Sequence, residues 1–280
     1  MNNHIYPCIW MDGKGKEAAE FYCATFGNGK ITADTPMVVT FELSGQKFMV
    51  LNGGPQFKPT PATSFFVVIE DKDEVTKVWQ TLSEQGQVLM SLDKYDWSEL
   101  YGWVQDKYGI SWQIAFGKLS DVRQQKFVTT WMFCGEHQGK AEAAINFYAE
   151  LFYDSSIEGI MRYPEGEFAG QITHAQMRYD GNVFAAMDRG VPQPFTFTEG
   201  MSNVVECLDQ QEIDRYWDKI TAEGKESMCG WCCDQFGVWW QIIPQQLGKL
   251  MSDPATAPKV GAALMQMKKM DIAKLEAAAK

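Results

Sequence analysis

Residues 102–114, GWVQDKYGISWQI, recur as residues 230–242, GWCCDQFGVWWQI. Seven of the thirteen positions are identical, and Tyr108/Phe236 and Ile110/Val238 are close substitutions. The first copy reads as a strand at 103–105, a tight turn from Asp106 to Gly109, and a second strand at 110–116. A thirteen-residue pattern found twice, 128 positions apart, marks the chain as a duplication.

Outward from these hairpins the two repeats run in the same order. In repeat one a strand at 5–11 precedes a helix from about 14 to 26. Ala18, Phe21, Tyr22 and Phe26 share a face of that helix, and Gly27 and Gly29 stop it. Strands at 37–43 and 46–51 form a hairpin across Ser44-Gly45, and the Gly/Pro-rich segment 52–63, NGGPQFKPTPAT, is a loop. A strand at 64–70 leads to a helix with Val75, Val78, Trp79 and Leu82 on one side. A short strand at 88–90 and a polar-aromatic loop at 91–100 then lead into the repeated hairpin. In repeat two Trp131 answers Trp10, and Ala144, Phe147, Tyr148 and Phe152 answer the first helix face. A hairpin turns at Asp180-Gly181, and a strand at 202–208 precedes a helix with Ile213, Tyr216, Trp217 and Ile220 on one face.

Each repeat therefore predicts two βαβββ modules, an α+β fold in which a helix covers one face of each sheet and leaves the other free to be concave. The predicted domains are 1–120 and 127–246, joined around 120–126, with each repeat forming its own cup, followed by a tail at 247–280. The tail reads as an Ala/Met/Lys-rich helix with Val260, Leu264, Met267 and Met270 along one side, docked on its own body or gripping a partner. Sixteen positions separate Gly86 from Gly102, but only six separate Gly224 from Gly230. Repeat two thus lacks the loop that carries Tyr95, Asp96, Trp97 and Glu99.

Composition narrows the function classes. A chain of 280 residues that is 45% hydrophobic can bury a substantial core in about two domains. With 36 acidic against 25 basic residues the formal charge is −11, which argues against nucleic-acid and anionic-membrane partners. The start MNNHIYPCIWMDGKG has no signal-peptide pattern and no window approaches 18 uninterrupted apolar residues, so the expected address is the cytoplasm. Seven scattered cysteines are an odd number and form no disulfide framework.

With the modules laid out, the chain resembles the vicinal-oxygen-chelate (glyoxalase/bleomycin-resistance) superfamily. More closely, it resembles the PhnB-like branch, often labelled 3-demethylubiquinone 3-methyltransferase. In repeat one the resemblance is carried by Gly53-Gly54-Pro55, Tyr95 to Trp97 and YGWVQDKYGISWQI (101–114). In repeat two it is carried by QQEIDRYWDKI (210–220), CGW (229–231), DQFGVWWQIIP (234–244) and MQMKKMDIAKLEAA (265–278). The resemblance implies paired modules curled into cups with helices outside. It also implies a divalent metal held by His or Glu on the first, fifth and last strands. Counted onto this chain, the fifth-strand positions hold Ser64 and Ser202 and the last-strand positions Gln113 and Gln241; the first strand, 5–11, offers no His, Asp or Glu, and its counterpart near 127–134 offers only Cys134. Neutral amides and hydroxyls are poor ligands for a catalytic transition metal, so no metal and no other cofactor is expected.

Strand alternation turns Trp112 and Trp240 toward the helices and Gln113 and Gln241 into the cups. The candidate ligand-binding residues of the first cup are Ser64, Phe66, Tyr95, Trp97, Trp103, Ser111 and Gln113, with Tyr95 and Trp97 on a closing loop. Those of the second are Ser202, Trp231 and Gln241. For each amide the alternative is a buried Gln bonded within the fold, and for each aromatic it is ordinary core. Cys229-Gly-Trp-Cys232 is a CxxC that runs into a strand rather than a helix, with its sulfurs expected on opposite faces, so it reads as structural. His4, His137 and His174 have no nucleophile partner at a family position, and Gly53-Gly54-Pro55 has no following helix to make a phosphate cradle.

These residues predict a binding protein for a small hydrophobic or aromatic molecule, built as an internal pseudo-dimer, with a homodimer as a further option. The alternative is an enzyme (a lyase, isomerase or transferase, the labelled methyltransferase included) using Gln113, Ser64 and Tyr95 or Glu99 as its polar groups.

Overall fold

The computed structural model describes residues 4–280. Met1–Asn3, the start of the stretch read above for a leader, lie outside the described residues. The described strands form two eight-stranded sheets, and the chain divides into two compact units, residues 7–201 and residues 4–6 with 202–280.

In the first unit the chain runs β1 (Ile5–Met11, entering from residues 4–6), α1 (Gly15–Phe26), β2 (Gly29–Asp34), β3 (Val38–Leu43) and β4 (Gln46–Asn52). It continues through β5 (Thr63–Ile69), α2 (Lys72–Ser83), β6 (Gln87–Tyr95), β7 (Ser98–Gln105) and β8 (Ser111–Phe116). A 3-10 turn at Leu119–Val122 leads to β9 (Phe127–Phe133), α3 (Ala141–Leu151), β10 (Ser156–Arg162), β11 (Ile172–Tyr179) and β12 (Asn182–Asp188). Here β1, β4, β3 and β2 lie side by side, with β1 parallel to β4. Ser44 and Gly45 both take positive φ, 48° and 80°, as the predicted two-residue hairpin requires.

The sheet complete within this unit has the order β10-β11-β12-β9-β5-β8-β7-β6. β5 runs parallel to β8, with Ser64 beside Ser111, and antiparallel to β9, with Ser64 beside Thr130. The expectation of one cup per repeat is corrected here, because this sheet joins the second module of repeat one to the first module of repeat two. β5 (TSFFVVI) and β9 (FVTTWMF) are the reason: β9 is buried at every position and β5 at all but Phe66. Pairing them with each other leaves neither as an edge.

One face of this sheet is packed with apolar side chains. Trp112 lies with its ring centroid 5.0 Å from Phe65, 5.0 Å from Phe26 and 5.2 Å from Tyr22. Val75, Val78 and Leu82 of α2 join the same core, as their period predicted. Two sequence readings fail. The polar strands β2 (GKITAD) and β10 (SIEGIMR) went unseen, because outer strands with mostly exposed or half-exposed residues carry no apolar alternation. The 91–100 loop is instead the paired ends of β6 and β7, nine and eight residues long, with bulges between Val88 and Tyr95.

The second unit contains β13 (Met201–Cys207, its first residue apart), α4 (Gln210–Thr221), β14 (Lys225–Glu226), β15 (Trp231–Cys233) and β16 (Trp239–Pro244). The sheet order is β14-β15-β16-β13, with the Glu206 amide donating to the His4 carbonyl at 2.9 Å beyond it. The missing loop leaves a two-residue β14 where the first unit has a nine-residue β6. The tail is three short helices rather than one: α5 (Leu247–Ser252), α6 (Ala257–Leu264) and α7 (Ile272–Ala278). It docks on its own unit. Val260, Met270 and Leu275 are buried, and Lys269 reaches Asp218 at 2.8 Å on α4.

Candidate ligand-binding face

The register of β5, β8 and β7 puts Ser64, Phe66, Ser111, Gln113, Tyr101 and Trp103 on the face turned away from Phe65 and Trp112. Their polar atoms form a directed chain. The Tyr101 hydroxyl donates to Gln113 Oε1 at 2.8 Å, and Gln113 Nε2 donates to Ser64 Oγ at 2.8 Å. Beside it, Trp103 Nε1 donates to Ser111 Oγ at 2.6 Å, which fixes the indole plane. All five side chains are buried, so each bond replaces one lost from water. Burial also pushes the Tyr101 phenol far above its ordinary value and keeps it a neutral donor.

This face is curled. Arg189 directly follows β12, its amide donating to the Phe133 carbonyl at 3.0 Å. Four strand steps separate β12 from β7, about 19 Å on a flat sheet at about 4.8 Å per step. Yet the Arg189 guanidinium lies 5.8 Å from the centre of the Trp103 ring. Side chains standing on a flat sheet do not meet at that separation, so the sheet bends toward this face. Val122 of the linker turn, Val68, Val128, Val183 and Ala185 cluster with Phe66 and make the face apolar around the latter.

The seven residues predicted for the first cup fall in two groups. Ser64, Phe66, Trp103, Ser111 and Gln113 share the face. Tyr95 and Trp97 stand at the β6–β7 tip, stacked at 5.0 Å and edge-on to Tyr101 at 5.8 and 6.2 Å. Trp97 is 64% exposed there. Glu99 is on the surface, paired with Lys72 at 2.8 Å. Tyr101 and Arg189 were missed. Tyr101 had a signal, since it lies two positions before Trp103 and alternation puts both on one face. Arg189 had none, because curvature rather than spacing brings it to Trp103.

In the second unit Gln241 Nε2 donates to Ser202 Oγ at 2.9 Å, and Trp231 is the cross-strand neighbour of Gln241. The chain of bonds is shorter. Cys229 stands where Tyr101 does in the first copy and Trp239 where Ser111 does, so the tyrosine donor is gone.

Several motifs are structural. Asp106 is buried and accepts four hydrogen bonds, from Tyr108 N, Ile110 N, the Tyr22 hydroxyl and Trp112 Nε1, at 2.8 to 3.0 Å. Burial raises its pKa, and those four donors oppose the rise. Asp234 anchors the second hairpin in the same way through Phe236 N, Val238 N and Trp240 Nε1. Gly102 is needed because a Cβ there would sit 2.5 Å from the Trp79 ring, and Gly53 because one would sit 2.1 Å from Trp10. The Trp10 indole also donates to the Gly54 carbonyl at 2.8 Å, which accounts for the Gly-Gly-Pro loop. In the CxxC, Cys229 is not extended as expected: it sits in a turn at φ 59°, with Sγ 3.6 Å from Met265 Sδ. Burial pushes the Cys232 thiol well above its ordinary value, the opposite of a redox cysteine.

The metal that the fold implies does not fit these donors. At the two family positions of each copy, a hydroxyl and an amide are already bonded to each other. Among the described residues no group of three or more His, Cys, Asp or Glu side chains is placed to hold a metal ion. Nor is any described helix long and apolar enough to cross a membrane.

Mixed sheets built from paired βαβββ modules in tandem, one of them curled, define a protein of glyoxalase-like fold. Within that fold, the chain belongs to the family described as 3-demethylubiquinone-9 3-methyltransferase, whose profile matches residues 3–115 and again 125–243. Glyoxalase I from Zea mays shares the fold, with a TM-score of 0.57 at 12% identity over 89% of this chain and 95% of that one. A putative 3-demethylubiquinone-9 3-methyltransferase, PhnB protein, from Bacillus cereus is 33% identical over 39% of this chain and 96% of its own, with a TM-score of 0.37. A search of curated proteins returns no match.

Proposed function

We propose that this protein binds a small aromatic or hydrophobic molecule on the curled face of the β10-to-β6 sheet, without the superfamily's metal. The observation that carries the reading is the Tyr101–Gln113–Ser64 chain set among Trp103, Phe66 and the Tyr95–Trp97 tip. Indole and phenol rings supply contact area, with about 0.5–1.5 kcal/mol per aromatic pair beyond burial. The amide and hydroxyls supply orientation, the usual division of labour in a small-molecule site. The polar groups at the family's ligand positions are bonded to each other, which suits binding better than chelation.

The test is a thermal-shift and native-mass screen of the full chain against small aromatic compounds. Binding is expected in the wild type and weakened in Trp103→Ala and Gln113→Ala. Silence across every compound class would sink the reading. Lyase, isomerase or transferase chemistry is the second reading, favoured by the family's description. Turnover of any bound compound, abolished in Gln113→Ala, would establish it. Elemental analysis giving stoichiometric Zn, Ni, Fe or Mn would overturn the metal-free part.

A further inference from the structure

We infer that the ligand of this face is an anion, a small aromatic or conjugated carboxylate whose charged end is held by Arg189 and whose flat body lies along Trp103. This inference rests on the binding reading above and adds the ligand's charge.

The first ground is an arginine without a counter-ion. The Arg189 guanidinium lies over Trp103, and its Nε is sealed from solvent with no hydrogen-bond partner. No carboxylate pairs with Arg189 among the described ion pairs, although acidic residues outnumber basic ones by eleven (36 − 25) in this chain. By contrast Arg123, Arg162 and Arg178 each reach a Glu or Asp. Tyr101 and Cys134 both lie within the field of Arg189, which acts to lower the pKa of each. Both stay neutral near pH 7, because burial raises the Tyr101 phenol and pushes the Cys134 thiol up to about 11. Neither group cancels the positive charge, and no described ion pair does so. Unlike Nε, the two Nη groups are not sealed from solvent, so they form the edge that a carboxylate meets.

The second ground is the kind of hydrogen-bonding capacity left over. Gln113 spends one of its two amide hydrogens on Ser64, and its oxygen is taken by Tyr101. Ser64 accepts that bond, and its own proton meets no acceptor among the described residues. The face thus keeps an unspent N–H donor on Gln113 and an unspent O–H donor on Ser64 beside a cation. A neutral hydrocarbon leaves them unpaired, and a cation is repelled. A ligand with acceptor oxygens and negative charge satisfies them. The third ground is the fixed indole. Its bond to Ser111 holds the Trp103 plane in place, a rigid surface for a flat conjugated body and already the one on which the guanidinium rests.

The experiment is calorimetric titration of the full chain with matched probes: benzoate against benzamide, and 2-naphthoate against 2-naphthamide. It is run on the wild type, Arg189→Gln, Arg189→Lys and Trp103→Phe, each checked for an unchanged circular dichroism spectrum. Carboxylates are expected to bind at least 10-fold more tightly than their amides. Arg189→Gln should abolish that preference and Arg189→Lys keep part of it, while Trp103→Phe weakens acid and amide alike. Equal binding of acid and amide, unaffected by Arg189→Gln, overturns the charge assignment and leaves the binding face standing. Failure of both probe classes at millimolar concentration overturns the inference together with the reading beneath it.

Discussion

Gln113 donates through Nε2 to the Ser64 hydroxyl at 2.8 Å, and Gln241 repeats the contact with Ser202 at 2.9 Å. Only Gln113 has a second partner on its oxygen, the Tyr101 hydroxyl. Truncating it therefore strands two buried groups where truncating Gln241 strands one. Gln113→Ala is expected to lower stability by about 2–4 kcal/mol and Gln241→Ala by about 1–2 kcal/mol. Urea unfolding of the two variants checks this, and equal costs would contradict the account.

Asp106 divides its acceptors by atom: Oδ1 takes the Tyr108 and Ile110 amides, Oδ2 the Tyr22 hydroxyl and Trp112 Nε1. Asp106→Asn keeps one oxygen and puts an NH2 at the other position. The Tyr22 hydroxyl can rotate to accept, but the indole N–H is donor-only and would face another donor. A loss of about 2–3 kcal/mol is expected. Most of it should vanish in a Trp112→Phe background, where no indole N–H remains to be stranded. A double-mutant cycle on denaturant midpoints measures the coupling.

The helix faces and hairpins were legible because their signals are local. Val75, Val78 and Leu82 follow the helical period, and Asp180-Gly181 takes φ of 48° and 78° as a two-residue hairpin needs. Ser64 and Gln113 were legible by alternation alone. What stayed hidden depends on distant partners. Outer strands such as β2 and β10 are held by backbone pairing and carry few apolar residues. The β5–β9 pairing across repeats needs a comparison of whole strands, since neither says which neighbour it will take. Arg189 reaches Trp103 only through the bend of five strands.

His174 on β11 titrates below the ordinary imidazole value of 6.5, and burial is the cause. The folded state thus resists the proton more than the unfolded chain does. As pH falls below 6.5 the unfolded chain takes up protons first, and stability drops until the folded-state value is passed. Above 6.5 the contribution is flat. His174→Gln should show a shallower loss of stability between pH 7 and pH 5 than the wild type. Identical slopes in urea titrations across that range would refute the assignment.

The tail closes an edge that the first unit closes with a strand. Met90 and Asp93 of β6 are the pairing partners of Trp103 and Tyr101 on β7. At the matching place in the second unit β14 is only two residues long, and the Cys229 and Gly230 amides donate instead to the Met267 and Lys268 carbonyls, at 2.7 and 2.8 Å. Gln210 of α4 holds the same segment from the other side, donating to the Met270 carbonyl and accepting from Ile272 N, both at 3.0 Å. An uncovered strand edge is a site for unwanted pairing with other chains, so covering it has a consequence for solubility as well as stability. Removing residues 265–280 takes away the buried side chains of Met270 and Leu275, now 1% and 0% accessible, and forfeits about 1.5–3 kcal/mol for each as an upper bound. The Cys229 and Gly230 amides are expected to lose their hydrogen-exchange protection and the truncated chain to self-associate, while the Gly102 amide on β7 exchanges as before. Met270→Asp offers the same test without a chain break. Unchanged protection at 229 and 230 in either variant would mean that the tail lies on the unit without sealing its edge.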